Sequence, residues 1–426
     1  MEFCLDKQVF FATAYRQNNS LILCKKSSSS IPISRLNSAI LQPSIVTLLA
    51  RRGYHCVFLT TNARKDWTIP GVQRLLYKPV EQKGKPGVFS NLRVAESHAE
   101  AAVQACVELK KKGFMPDVVY GASGWGGTWL VRDVFPKARL AGYFEWFYDA
   151  DSADVRFGNR EEPGLQNRIN LRLRNTVIVN DLLSCDLCIT PSQWQKSQFP
   201  PALQDKLSVL HDGIDTGYFC PGNGPMGFAG LPLQGDEEII TYATRGMEPY
   251  RGFPQFMQAL ALVLAERPQA HAVIAGEDRI CYGSPRPDGT SWKEYMLSQV
   301  ALPMDRVHFT GSLPYAQYRQ LLRSSTGHVY LTRPFVLSWS LLEAMACGCL
   351  VVASDTGPVQ EVLRHGYNGL LCDFFSPRAI ARSVLQALEE QEQLKPLRDA
   401  ARNTIVSRYE LTTLLPQLER MLAGEL

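Results

Sequence analysis

Residues 328–366 read HVYLTRPFVLSWSLLEAMACGCLVVASDTGPVQEVLRHG, and no other stretch restricts the fold as tightly. His328 to Thr332 is a short β-branched run that reads as a buried strand. Arg333 to Trp339 reads as a loop, with Pro334 keeping Arg333 out of a helix. Ser340 is expected to open a helix carrying Leu341, Leu342, Met345 and Ala346. Gly348 stands just past its end, where a left-handed cap belongs. Leu350 to Ala353 is a second strand, and Asp355 to Pro358 turns into a second short helix that Gly366 closes. Strand, loop, helix, strand, loop, helix with tight connections indicates a parallel α/β sheet. Ligands of such sheets sit at the carboxyl ends of strands, against helix N-termini. The amides opening the Ser340 helix would offer a positive end to an anion.

Glu343 is the one charged residue of that helix. It fits an S-x-x-E capping box with Ser340, or it accepts hydrogen bonds from a ligand's hydroxyl groups. Spacing alone favours the cap.

The chain has 426 residues, too many for one ordinary core and suited to two domains. Its 45 basic and 41 acidic residues nearly balance, which gives no case for a nucleic-acid partner. No apolar run reaches the length of a membrane span. The 11 cysteines are scattered and odd in number, so a reduced, cytoplasmic protein is expected. Cys185 and Cys188 form a lone CxxC with no second half, weak grounds for a metal.

Other segments add to the pattern. Tyr54 to Thr60 and Pro116 to Tyr120 read as strands, Asn91 to Lys112 as a long helix, with His98 in it an ordinary packing histidine. GASGWGGTWL, residues 121–130, is a glycine-rich loop before a helix. It does not fit G-x-G-x-x-G, because Trp129 stands where the third glycine belongs. Trp125 could stack on a sugar or simply pack. Glu145, within RLAGYFEWF, is either paired structurally or faces the ligand. Further on, Ile239 to Ala243 reads as a strand and Phe253 to Glu266 as a helix. Arg245 and Arg251 fall on the loop between them, where two cations before a helix N-terminus suit a pyrophosphate, or are simply two surface arginines.

The stretch SLLEAMACGCLVVASDTGPVQEVLRHGYNGLL resembles the donor-site motif of the retaining family-4 glycosyltransferases of GT-B fold. HDGID at 211–215 and TRGMEPYRG at 244–252 are similar to two further segments of that family. The resemblance covers roughly residues 44–420. It implies an α/β protein of two Rossmann-like parallel-sheet domains facing a cleft. Residues 1–220 would form the acceptor-side domain, 221–236 a linker, 237–405 the nucleotide-sugar domain, and 406–426 a helix crossing back. Residues 1–43 are expected to be divergent, a shifted reading frame or wrong start being one cause, since no glycine loop occurs before Gly53.

The resemblance implies transfer of a sugar from a nucleotide-sugar donor to a glycan, lipid-linked or small-molecule acceptor, with retention and without a metal or other cofactor. Arg245 and Arg251 would neutralise the leaving diphosphate. Donor contacts would come from Glu343, Ser340, Leu341, Phe335, Val336, Leu337 and Ser338, with Gly276 and Phe309 on neighbouring strand ends. Gly124, Trp125 and Glu145 would face the acceptor. The family's motif is Glu-x7-Glu, and its first glutamate is Phe335 here, within the FVLSWS wording of a branch that lacks it. Ala122 and Gly127 also replace a histidine and a glutamate usual in that branch. A nucleotide-sugar-binding protein with impaired chemistry, or an epimerase of the same fold, are the alternatives. Peripheral contact with the inner face of the membrane is a further expectation for a lipid-linked acceptor.

Overall fold

The computed structural model describes residues 20–26, 45–61, 71–80, 87–158, 162–222 and 238–426. Val9 to Ala14, a run that could by its sequence form a strand, the serine-only stretch Ser27 to Ser30 and most of the linker lie outside them. The described residues divide into two units: those within 20–213 with 411–426, and those within 214–410.

The first unit is built on a seven-stranded sheet. Its strands are β1 (Leu21–Lys26), β2 (Tyr54–Thr60), β3 (Val72–Leu76), β4 (Val118–Ala122), β5 (Arg139–Tyr143), β6 (Leu187–Thr190) and β7 (Leu207–Val209). Their spatial order is β3-β2-β1-β4-β5-β6-β7. All neighbours run parallel except β1, which is antiparallel to both β2 and β4. The sheet is therefore not uniformly parallel. Leu21, Ile22, Leu23 and Cys24 are all buried, as a central strand covered on both faces requires. Helices α1 (Ile45–Arg51), α2 (Ser90–Lys111) and α3 (Leu165–Ser184) cover the sheet. The last helix, Leu411–Ala423, sets Leu411, Leu415, Leu418 and Leu422 against Ile45, Val46 and Leu49 of α1.

The second unit carries six parallel strands in the order β10-β9-β8-β11-β12-β13. These are β8 (Glu238–Gly246), β9 (Ala270–Glu277), β10 (Val307–Gly311), β11 (Gly327–Tyr330), β12 (Val351–Ser354) and β13 (Leu370–Cys372). Helices α4 (Phe253–Glu266), α5 (Tyr315–Arg323) and α6 (Trp339–Ala346) follow β8, β10 and β11. Leu341, Leu342 and Met345 of α6 enter the core with Val351 and Ala353 of β12. Gly348 takes φ +75° just beyond α6, the left-handed cap its position called for.

Residues 214–220 group with the second unit, not with the first as a boundary at 220 had them. The Ile214 amide donates to the Tyr409 carbonyl at 2.7 Å, and Arg402 donates to the Phe219 carbonyl. No helix among the described residues is long and apolar enough to cross a membrane.

Candidate functional site

The carboxyl ends of β8, β9 and β11 lead into a cluster of charged and aromatic groups. β8 runs three residues further than its apolar pattern implied, so Arg245 lies in the strand and not in the loop after it. A register shift between Ala243 and Gly246 accompanies this end. Gly246 is required there, because a Cβ would meet the Arg279 carbonyl at 2.4 Å. A 3₁₀ turn, Pro249–Arg251, then leads through Gly252, at φ +67°, into α4.

Arg251 is buried in that turn. Its guanidinium donates to Thr332 Oγ1 at 2.6 Å, to Tyr330 Oη at 3.3 Å and to the Val336 carbonyl at 3.4 Å. The same group lies 5.1 Å from the centre of the Tyr282 ring. Arg245 reaches the Tyr282 hydroxyl at 3.5 Å. One phenol thus adjoins both arginines picked out in the sequence. Phe335 meets the rings of Tyr250 and Tyr282 edge-on, at 5.6 and 5.9 Å. Arg333 lies 5.3 Å from the Tyr250 ring. At the position of the first glutamate of Glu-x7-Glu, Phe335 thus packs against two tyrosines.

The loop into α6 is tied to the same cluster. Ser338 donates its amide to Tyr330 Oη at 2.9 Å, and its Oγ accepts from the Ser340 amide and hydroxyl. Ser338, not Ser340, is the N-cap, so the helix opens two residues earlier than expected. That shift removes the capping box, since Glu343 is now beyond reach of the N-terminal amides. Its Oε1 instead accepts from the Tyr315 hydroxyl at 2.5 Å. Tyr315 is in turn stacked on Tyr218, with ring centres 5.5 Å apart. Burial raises Glu343 to about 7, against the opposing pull of the tyrosine hydroxyls. Removing a carboxylate from water disfavours its charged form.

The remaining expected donor contacts are distributed more widely. Leu341 points into the core, and its amide donates to the Ser338 carbonyl at 3.3 Å. Val336 and Leu337 are half-buried, with Leu337 packed on the core. Gly276, near the end of β9, has φ +140°, and a Cβ there would meet the Thr244 carbonyl at 2.2 Å. Phe309 of β10 is half-buried under the Lys293 ammonium, 4.3 Å from its ring centre.

Sequence reading missed Glu248. It is fully buried and accepts from the amides of Cys281, Tyr282 and Gly283 at 3.1, 3.0 and 2.7 Å. A glutamate inside the otherwise uncharged GMEPY was the available signal. Its partners lie more than thirty residues away in sequence, where no local pattern points to them.

In the first unit, residues 121–130 are fixed by Asp181 of α3. Its Oδ2 accepts from Ser123 Oγ at 2.7 Å, the Gly124 amide at 3.2 Å and Thr128 Oγ1 at 2.9 Å. Burial raises Asp181 to about 6, opposed by the three donors. Gly126, at φ +95°, lies so near Ala95 that a Cβ would meet its carbonyl oxygen at 1.9 Å. Trp125 is left 41% exposed at the turn. Glu145 is half-buried, and its carbonyl accepts from Gln195 at 2.7 Å. Asp151, which shares a D-x-D spacing with Asp149, is committed to ion pairs with Arg156 and Arg168. Among the described residues no group of three or more His, Cys, Asp or Glu is placed to hold a metal ion.

Residues 52–219 match the model of the glycosyl transferase family 4 group, and residues 228–404 that of the glycosyl transferases group 1. This chain belongs to the group 1 glycosyltransferases of GT-B fold. A D-inositol 3-phosphate glycosyltransferase of Thermobispora bispora is 24% identical over 198 residues, 45% of each chain. An N-acetyl-alpha-D-glucosaminyl L-malate synthase of Bacillus anthracis is 29% identical over 115 residues, 27% of this chain and 30% of that one. The chain thus spans less than half the length of these curated relatives. Sucrose-phosphate synthase from Thermosynechococcus elongatus superposes with a TM-score of 0.69 and 18% identity, covering 89% of this chain and 91% of that one. HepE from Anabaena, solved with UDP and glucose, gives 0.61 at 20% identity over 84% and 86%. At such identities these structures speak for the shared fold alone.

Proposed function

We propose that this glycosyltransferase moves a sugar, with retention, from a nucleoside-diphosphate donor to a glycan, lipid-linked or small-molecule acceptor, and that no metal assists the leaving group. The observation carrying this reading is the convergence of Arg245 and Arg251 on Tyr282, beside the loop that Arg251 ties down through Val336. Two fixed cations stabilise negative charge as it develops on a departing diphosphate. Preorganised donors of this kind are worth about 2.7–4 kcal/mol each at comparable sites. Buried Glu343, once ionised, would accept hydroxyl groups of the donor in exchange for the Tyr315 hydroxyl. Because Anabaena HepE was solved with UDP, UDP-linked sugars are the first donors to try, with GDP-linked ones beside them. The test is nucleoside-diphosphate release from each donor with and without candidate acceptors. Acceptor-dependent release that falls ~100-fold in Arg245→Ala supports the reading. A near-normal rate in that variant refutes the assignment.

A further inference from the structure

The geometry points to Glu248 as a positioning residue for the diphosphate site, acting through the segment Cys281–Gly283 and the ring of Tyr282. The inference rests on the function proposed above and extends it to a residue whose carboxylate is engaged by backbone amides.

Glu248 is a fully buried carboxylate without a cation in its hydrogen-bond set. Its two oxygens are engaged by consecutive backbone amides, Cys281 and Tyr282 on Oε1 and Tyr282 and Gly283 on Oε2. Three successive amides aimed at one carboxylate form a small anion cradle, filled here by the protein's own side chain. A Cβ on Gly283 would meet Glu248 Oε2 at 3.1 Å, which is tight, and glycine at that position lets the backbone close on the carboxylate. Glu248 itself is fixed by its place between β8 and the Pro249–Arg251 turn.

What this clamp holds in place is Tyr282. Its ring lies under the Arg251 guanidinium and its hydroxyl adjoins Arg245. Phe335 packs on it edge-on. Both arginines are anchored within three residues of Glu248, one on each side of it in sequence. The carboxylate thus joins the backbone that carries the cations to the ring that orients them. Without the clamp, the three amides of 281–283 would lose their acceptor and Tyr282 its fixed position. The guanidinium groups would remain in the chain but would no longer be held at one spacing, and spacing matters most to a ligand that bridges both.

The inference is tested with purified full-length protein by calorimetric titration of UDP and UMP, or GDP and GMP where GDP binds more tightly. Arg245→Ala, which tests the underlying reading, should lower diphosphate affinity and leave monophosphate affinity nearly unchanged. Glu248→Gln keeps the shape but presents an NH₂ to at least one of the amide donors. It should weaken diphosphate binding about tenfold and monophosphate binding less than threefold. Tyr282→Phe should give a smaller loss of the same selective kind. If E248Q does not fold, Tyr282→Ala carries the test, because Tyr282 is half-buried and lies outside the main core. Loss of diphosphate affinity in R245A with none in E248Q or Y282A overturns this inference alone. Equal losses for both nucleotides in E248Q also overturn it, since they mark a general structural role. No nucleotide binding by the wild type, or none of the expected loss in R245A, overturns the reading beneath it.

Discussion

Glu343→Gln should make the protein more stable at alkaline pH while impairing the site. The carboxyl of Glu343 is raised from 4.5 to about 7 by burial. The unfolded chain therefore releases this proton well before the folded one does. Its contribution to stability is fully present below about pH 4.5 and is lost as pH rises through 7. At about 1.4 kcal/mol for each tenfold change in proton affinity, the folded state loses roughly 2–3 kcal/mol between pH 5 and pH 8. Glutamine does not titrate, and its carbonyl still accepts from Tyr315. The stability of E343Q relative to wild type should thus grow by that amount over the interval, whatever constant packing difference the substitution adds. For a unit of about 200 residues this is roughly 5–10 °C in melting temperature. Melts of both proteins at pH 5, 6.5 and 8 decide it. Curves that stay parallel across the range would show that Glu343 is not a buried carboxyl near neutrality.

Further outcomes follow from the same geometry. UDP affinity of the wild type should rise with pH through about 7 as Glu343 ionises; in Tyr315→Phe, which removes a hydrogen bond to the carboxylate, the midpoint should move higher, as titrations from pH 6 to 9 would show. Arg251→Lys cannot reproduce the fork to Thr332 and Val336 and should cost about 1–2 kcal/mol of nucleotide binding, measured by calorimetry. Asp181→Ala strands three donors of the 121–130 loop and should lower stability by about 2–4 kcal/mol in urea unfolding, whereas Asp181→Asn retains an acceptor and should cost far less. Gly276→Ala forces a Cβ onto the Thr244 carbonyl at positive φ and should cost about 2–4 kcal/mol by the same assay.

The second unit was readable because its elements are short, apolar and separated by glycine and proline. Helix α4 was placed at its observed ends from periodicity alone. The N-cap of α6 was misplaced by two residues because Ser338 and Ser340 both satisfy the local rule. Only the Tyr330 hydroxyl, bonded to the Ser338 amide, distinguishes them. The tyrosine partner of Glu343 lies 28 residues away and the amide partners of Glu248 lie 33–35 away. Pairings of that kind depend on tertiary placement and leave no trace in spacing. The two arginines were singled out from the strand-to-helix context and the family resemblance. Their shared neighbour Tyr282 was not, since nothing in EDRICYGSP marks its tyrosine as adjoining both. In the first unit, the apolar run at 21–24 suits a strand of either direction, because burial on both faces is the same for either sense.

The central claim is that Arg245 and Arg251 share one nucleoside diphosphate, and a crystal structure of the protein soaked with UDP or GDP tests it most directly. The account predicts phosphate oxygens at hydrogen-bond distance, about 2.7–3.2 Å, from both guanidinium groups, with Tyr282 still between them. A well-ordered nucleotide whose phosphates contact neither arginine would contradict it.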